Sequence, residues 1–186
     1  MAVGKSSLAG RFNHGEFEDI YRNTIGGAYF QKTMNVPDPE KQAANNNNNS
    51  GSQMQQIKLH IWDTGGQEQF RAMLSMYYRD ADAALICFDI GNAKTYKSVH
   101  YWIGEMEKNC NNERSNIVLA MAGNKCDIEE NMKQVPLMTA NELAKDNNMI
   151  YYETSAKTNE GVSELFMEMI NQIIITKREK KKLDNE

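Results

Sequence analysis

The stretch IVLAMAGNKCD occupies residues 117–127 and joins an apolar run to a short polar motif. Every residue from Ile117 to Ala122 is apolar, which predicts a strand covered by helices on both faces. Asn124, Lys125 and Asp127 follow directly. A carboxylate at this place can accept hydrogen bonds from the N1–H and the exocyclic amine of guanine, and adenine lacks that donor pair. A buried carboxylate left without these donors is costly, so this stretch predicts a strand ending in a guanine-specific motif.

Short apolar runs alternate with amphipathic segments along the rest of the chain. This pattern predicts an α/β fold with a mostly parallel central sheet and helices on both faces. Thr139 and Glu142 form a capping-box pattern, which predicts the start of a helix. Strands are predicted at 28–34, 57–62, 83–88, 117–122 and 149–153, with further helices at 5–13 and 96–110 and one from 162 onward.

Composition narrows the class of protein. The chain has 186 residues, which suits one domain, and a net charge of −4 does not indicate nucleic-acid binding. We expect no signal peptide and no membrane span, because the longest apolar runs are too short. The three cysteines form no metal-type spacing, which indicates reduced thiols and a cytoplasmic location.

Two segments lie outside the α/β pattern. Residues 36–54 contain Pro37, Pro39 and five consecutive asparagines, so we expect a disordered surface insert within a domain spanning 1–176. Residues 177–186 form a basic and polar tail. This tail is either a solvated helix end or a contact with an anionic membrane.

Gly4-Lys5-Ser6 resembles the end of a phosphate-binding loop that leads into a helix. Backbone N–H groups and the helix dipole favour an anion there, while the lysine reaches the terminal phosphates and the serine hydroxyl binds Mg²⁺. So short a motif also occurs in ordinary surface turns.

Two more polar segments follow predicted strands. Asp63 can hold Mg²⁺ through water, Gly66 can bring an N–H to a γ-phosphate, and Gln67 can orient an attacking water. Glu153–Lys157 offers backbone N–H groups to the carbonyl of a base. Each segment alone fits a polar turn or loop, but open α/β sheets bind ligands at this edge, and the order of all four motifs favours a nucleotide site.

With these motifs in this order, the sequence resembles the Ras superfamily and, within it, the Rab family, with most similarity to the early-endosomal branch. The resemblance covers Val3 to about Thr176 and includes Tyr21–Gly26 and Met76–Arg79. It implies a GTP-hydrolysing switch in vesicle and endosomal traffic, with an exchange factor, a GTPase-activating protein, effectors and peripheral membrane contact as partners.

The resemblance also assigns roles to residues. Lys5 and Gln67 would serve catalysis, and Ser6, Thr24 and Asp63 would hold Mg²⁺ as the cofactor. The effector surface would comprise Ile25, Tyr29, Trp62 and Tyr77. Nucleotide would contact Gly4, Lys5, Ser6, Ser7, Phe17, Thr24, Gly66, Asn124, Lys125, Asp127, Ser155, Ala156 and Lys157.

The sequence departs from the family in three places. Only Met1–Val3 precede Gly4, so we expect the first strand and the opening half of the phosphate loop to be absent, leaving a gap in the sheet. Gly65 replaces the usual alanine, and the chain ends without cysteines. A truncated or non-enzymatic relative that binds nucleotide poorly is therefore the alternative, whereas the guanine motif opposes a P-loop kinase or ATPase.

Overall fold

The computed structural model describes residues 2–17, 24, 26–38, 54–65, 81–109 and 117–184. The strands and helices lie there where the sequence predicts them, with bounds close to the predicted ones. The α/β class is confirmed. The strands are β1 Gly27–Pro37, β2 Met54–Thr64, β3 Ala83–Asp89, β4 Val118–Asn124 and β5 Ile150–Thr154; the helices are α1 Lys5–His14, α2 Ala93–Asn109, α3 Leu137–Asp146 and α4 Val162–Leu183.

The strands form two separate sheets. β1 and β2 are an antiparallel pair, in which Gly27 lies opposite Thr64 and Pro37 lies opposite Met54. The other three strands are parallel in the order β3-β4-β5. Within the described ranges β2 and β3 belong to different sheets, which agrees with the expected gap between them.

The parallel sheet carries a hydrophobic core on each face. Leu119 and Met121 of β4 pack in the core that includes α2 and α3. Ala120 and Ala122, which alternate with them, pack in the core formed with α1, α4 and the hairpin. The apolar run of β4 is therefore buried on both sides, as its composition predicts.

The β1–β2 hairpin is fastened to the C-terminal helix. Arg178 of α4 donates to both carboxylate oxygens of Asp38 at 2.7 and 3.1 Å, and it also donates to Gln55 Oε1 at 3.3 Å. Val36 is fully buried. The predicted insert bounds are thus wrong at both ends, because residues 36 and 37 belong to β1, Asp38 pairs with Arg178 and Met54 begins β2. Residues 39–53 lie outside the described residues.

The capping-box prediction is wrong. α3 begins at Leu137, with Pro136 as its N-cap residue and no side-chain capping hydrogen bond. Thr139 lies inside the first turn. The start is set upstream, because the Val135 N–H donates to the Ile90 carbonyl at 3.2 Å and Pro136 has the fixed φ that suits entry into a helix.

The C-terminal helix continues beyond the predicted domain boundary. α4 runs without a break through residue 177 to Leu183, and Lys177 pairs with Asp82 at 2.7 Å. Across the described helices, none combines the length and hydropathy needed to cross a bilayer.

Candidate nucleotide site

The N-terminus of α1 is open to an anion. Gly4 precedes the helix with φ of +91°, and no side chain of the described residues caps this end. The first N–H groups of a helix have no partner within the helix, and its dipole is positive there. Gly4, Lys5, Ser6 and Ser7 therefore form a backbone cradle of the kind that binds phosphate.

Three oxygen side chains converge beside this helix start. The Ser6 hydroxyl donates to Asp63 Oδ2 and lies 2.6 Å from Thr24 Oγ1. Thr24 Oγ1 also donates to Asp63 Oδ2 at 3.4 Å. These are the three residues that the resemblance assigns to Mg²⁺, and they come from α1, the segment at 24 and the end of β2.

The carboxylate in this cluster is buried. Burial raises the pKa of Asp63, against the hydrogen bond from Ser6, the charge of Lys5 and the hydrogen bond from Thr24, which all lower it. Mg²⁺ prefers oxygen ligands and is commonly held by one or two carboxylates together with phosphate oxygens. The cluster fits that requirement, since it offers one carboxylate and two hydroxyls.

Asn124 links the segment before α1 to the loop that follows β5. Its side-chain amide donates to the Val3 carbonyl at 2.8 Å. Its amide oxygen accepts from the Ala156 N–H at 3.3 Å. The end of β4 lies between these two segments, so a side chain at this position can reach both of them.

Asp127 is hydrogen-bonded to the loop that follows β5. One of its oxygens accepts from the Ser155 hydroxyl at 2.6 Å, and Ser155 is fully buried. The Thr158 N–H donates to the same hydroxyl at 3.0 Å. Asp127 and the 155–157 loop are therefore one hydrogen-bonded unit.

Lys125 and Phe17 each contact a charged residue that the sequence analysis did not single out. Lys125 Nζ lies 2.6 Å from Asp89 Oδ2 at the end of β3. The Arg11 guanidinium lies over the Phe17 ring at 5.9 Å. Arg11 also donates to the carbonyls of Ala156 and Lys157, at 2.7 and 2.8 Å.

Arg11 and Asp89 were missed by the sequence analysis. A basic residue in the last turn of a helix is ordinarily explained by the helix dipole, so nothing in the local pattern singles out Arg11. Its loop partners are more than a hundred residues away along the chain.

The exposed aromatic residues of the hairpin lie side by side. Tyr29 pairs with Trp62 across the strands, their ring centroids are 4.7 Å apart, and Tyr29 hydrogen-bonds His60. Trp62 is 56% exposed, so it points outward. Four predicted site residues lie outside the described residues: Ile25, Gly66, Gln67 and Tyr77.

Comparisons with known proteins agree with this geometry. The model of the Ras family matches residues 1–175. The chain belongs to the Ras family. The Ras-related protein Rab5A of Oryza sativa subsp. japonica is 36% identical over 174 residues, which cover 94% of this chain and 76% of that protein. This Ras-family chain is accordingly Rab-like, and the family is one of small GTPase switches.

Proposed function

We propose that this chain is a GTP-binding, GTP-hydrolysing switch that acts in vesicle and endosomal traffic. The observation that carries the proposal is the hydrogen-bonded unit of Asp127 and the 155–157 loop, which Asn124 links to Val3 next to the phosphate cradle. A site of this kind reads a guanine base and a phosphate chain together. The likeness to a Rab5A supports the traffic role.

Each described residue then has a defined task. Asp127 accepts the two guanine donors, the 155–157 loop offers N–H groups to the base carbonyl, and Phe17 stacks on the ring. The start of α1 binds phosphate oxygens, and Lys5 adds positive charge.

Ser6, Thr24 and Asp63 would hold Mg²⁺, which when bound neutralises charge on the phosphate oxygens. Water attacks the γ-phosphorus of GTP and the products are GDP and phosphate, with Gln67 proposed to orient that water. Loss of the γ-phosphate releases Thr24 and Gly66, which is how partners would distinguish the two states. Those partners are proposed to be an exchange factor, a GTPase-activating protein and effectors.

The test of this function is base selectivity. The chain should bind GDP and GTP with Mg²⁺ and exclude ATP, and Asp127→Asn should reduce GDP affinity by about a hundredfold while admitting xanthosine diphosphate. Asp146→Asn, an exposed carboxylate at the end of α3, is the matched control and should change neither affinity. Equal binding of ATP and GTP by the parent chain would contradict the proposal.

One structural feature favours the alternative of a relative that binds nucleotide poorly. Ala83, Leu85 and Cys87 of β3 are only half-buried, and β3 does not share a sheet with β2 in the described part of the chain. A titration with GDP separates the two functions, because a dissociation constant in the millimolar range would support the alternative.

A further inference from the structure

We propose that Arg11 is a positioning residue for guanine recognition, which holds the 155–158 loop in the conformation that presents its N–H groups to the base. This inference rests on the proposed function and adds a residue to the same site. It depends on the three carbonyl groups that the Arg11 guanidinium contacts and on how these contacts orient the peptide units of the loop.

The guanidinium binds two successive peptide units of the loop. Nε donates to the Ala156 carbonyl at 2.7 Å, and Nη2 donates to the Lys157 carbonyl at 2.8 Å. A third bond runs from Nη1 to the Gly15 carbonyl at 2.6 Å, just after α1. Because the guanidinium is planar and rigid, hydrogen bonds to three carbonyl groups hold it in a single orientation.

The first of these bonds sets the direction of a loop N–H. A trans peptide is planar, so its N–H points opposite to its carbonyl. Because the Ala156 carbonyl faces Arg11, the Lys157 N–H of the same peptide unit faces away from Arg11. It becomes a donor on the side of the loop opposite to Arg11, where we propose that the base binds.

The second bond reaches the carboxylate that reads the base. The Lys157 carbonyl shares its peptide unit with the Thr158 N–H, which donates to Ser155 Oγ at 3.0 Å. The Ser155 hydroxyl in turn donates to Asp127 Oδ1 at 2.6 Å. Arg11 is thus linked to Asp127 through this peptide unit and Ser155.

The same side chain also reaches the stacking residue. Its guanidinium carbon lies 5.9 Å from the centroid of the Phe17 ring, within the range of a cation–π contact. Arg11 therefore joins the helix that begins at the phosphate cradle to the loop and the ring on the base side.

The experiment compares Arg11→Lys with Arg178→Lys in the whole chain. Lysine keeps the charge but cannot reproduce a fork on three carbonyls. Arg178 is the matched control, since it also makes a forked contact but on Asp38 of the hairpin. In the chain without nucleotide, Arg11→Lys should speed amide exchange at Thr158 about tenfold, and Arg178→Lys should leave that amide unchanged.

The second readout is chemical and separates positioning from general destabilisation. 6-Thio-GDP replaces the base carbonyl oxygen with sulfur, a weaker acceptor, so the parent chain should prefer GDP by about tenfold. Arg11→Lys should weaken GDP binding about tenfold and reduce that preference to about twofold. A loss that is equal for both nucleotides means that Arg11 only supports the fold, and it overturns the inference.

Other outcomes are equally decisive. If the parent binds GDP and Arg11→Lys behaves like the parent in both assays, the inference fails while the proposed function stands. If the parent binds neither nucleotide, the proposed function fails and the guanine role of Arg11 fails with it. If Arg11→Lys does not fold, the parent alone decides: its Arg11 Nε–H should exchange slowly by NMR, and exchange as fast as that of a solvated arginine overturns the inference.

Discussion

At Gly4 the structure leaves no room for a side chain. Its φ is +91°, and a Cβ placed there would lie 2.3 Å from Asn124 Nδ2, the atom that donates to the Val3 carbonyl. Any other residue at this position would be strained and would displace the amide that joins the two halves of the site.

Gly4→Ala should therefore lower the free energy of unfolding by about 1–3 kcal/mol, measured by urea denaturation. Gly10→Ala is the control within the same helix, because a Cβ at Gly10 would meet nothing within 4 Å. Gly10→Ala should raise the free energy of unfolding by up to about 1 kcal/mol, because alanine has a higher helix propensity than glycine. Equal effects of the two substitutions would contradict the role given to Gly4.

The reactivity of the Cys126 thiol gives a second prediction for a single residue. Burial, followed by the charge of Glu160, raises the pKa of its thiol to about 11 from the ordinary value of 9.0. The thiolate is the reactive form, so at pH 8 Cys126 should react with iodoacetamide about a hundredfold more slowly than an unperturbed thiol. The rate should rise about tenfold per pH unit up to about pH 11. Peptide mass spectrometry reports the rate, and alkylation as fast as that of glutathione would contradict the shifted pKa.

At the scale of elements, the strands and the position of Asn124–Asp127 at the end of β4 were predictable, because local pattern determines them. The apolar run of β4 and the alternation in β2 reflect burial on two faces and on one face, respectively. Asn124 and Asp127 follow their strand directly, so spacing alone places them. Arg11 and Arg178 could not be predicted, because their partners lie far away in the chain and only the packed fold brings them together.

The base of the hairpin yields a prediction about deletion. Replacing residues 39–53 with a short turn should leave the midpoint of urea unfolding nearly unchanged, because loop length contributes little free energy. Extending the deletion by one residue removes Asp38, which is 8% exposed and pairs with Arg178. This longer deletion should cost about 1–3 kcal/mol. Equal stability of the two deletions would show that the Asp38 contact does not hold the hairpin.

At the scale of the whole molecule, the separation of the two sheets matters most. The inner residues of β2 and β3 share one hydrophobic core with α1 and α4, yet the strands belong to different sheets. Strand edges inside a protein need hydrogen-bond partners, and an unpaired buried amide costs about 1–3 kcal/mol. Several such groups amount to a large part of the roughly 5–15 kcal/mol that stabilises a domain.

Adding a family-type apolar strand and loop before Gly4, so that the loop reads Gly-x-x-x-x-Gly-Lys-Ser and ends at Ser6, should therefore raise both the free energy of unfolding and the GDP affinity. We expect an increase in affinity of more than about a hundredfold, since the added loop also supplies N–H groups for the β-phosphate. Isothermal titration and thermal unfolding measure the two effects. A matched extension with polar residues in place of the strand should produce neither, and tight stoichiometric GDP binding by the unextended chain would contradict this prediction.

The pairing of Pro37 with Met54 has a consequence for how the gene can evolve. The chain leaves the hairpin and returns to it at neighbouring points, so the number of residues between them barely enters the folding free energy. Repeated asparagine codons, as at Asn45–Asn49, can then lengthen or shorten by replication slippage with little selection against the change. Sequencing natural populations should find the asparagine tract variable in length, while the buried residues Val36 and Asp38 at the start of this segment remain fixed.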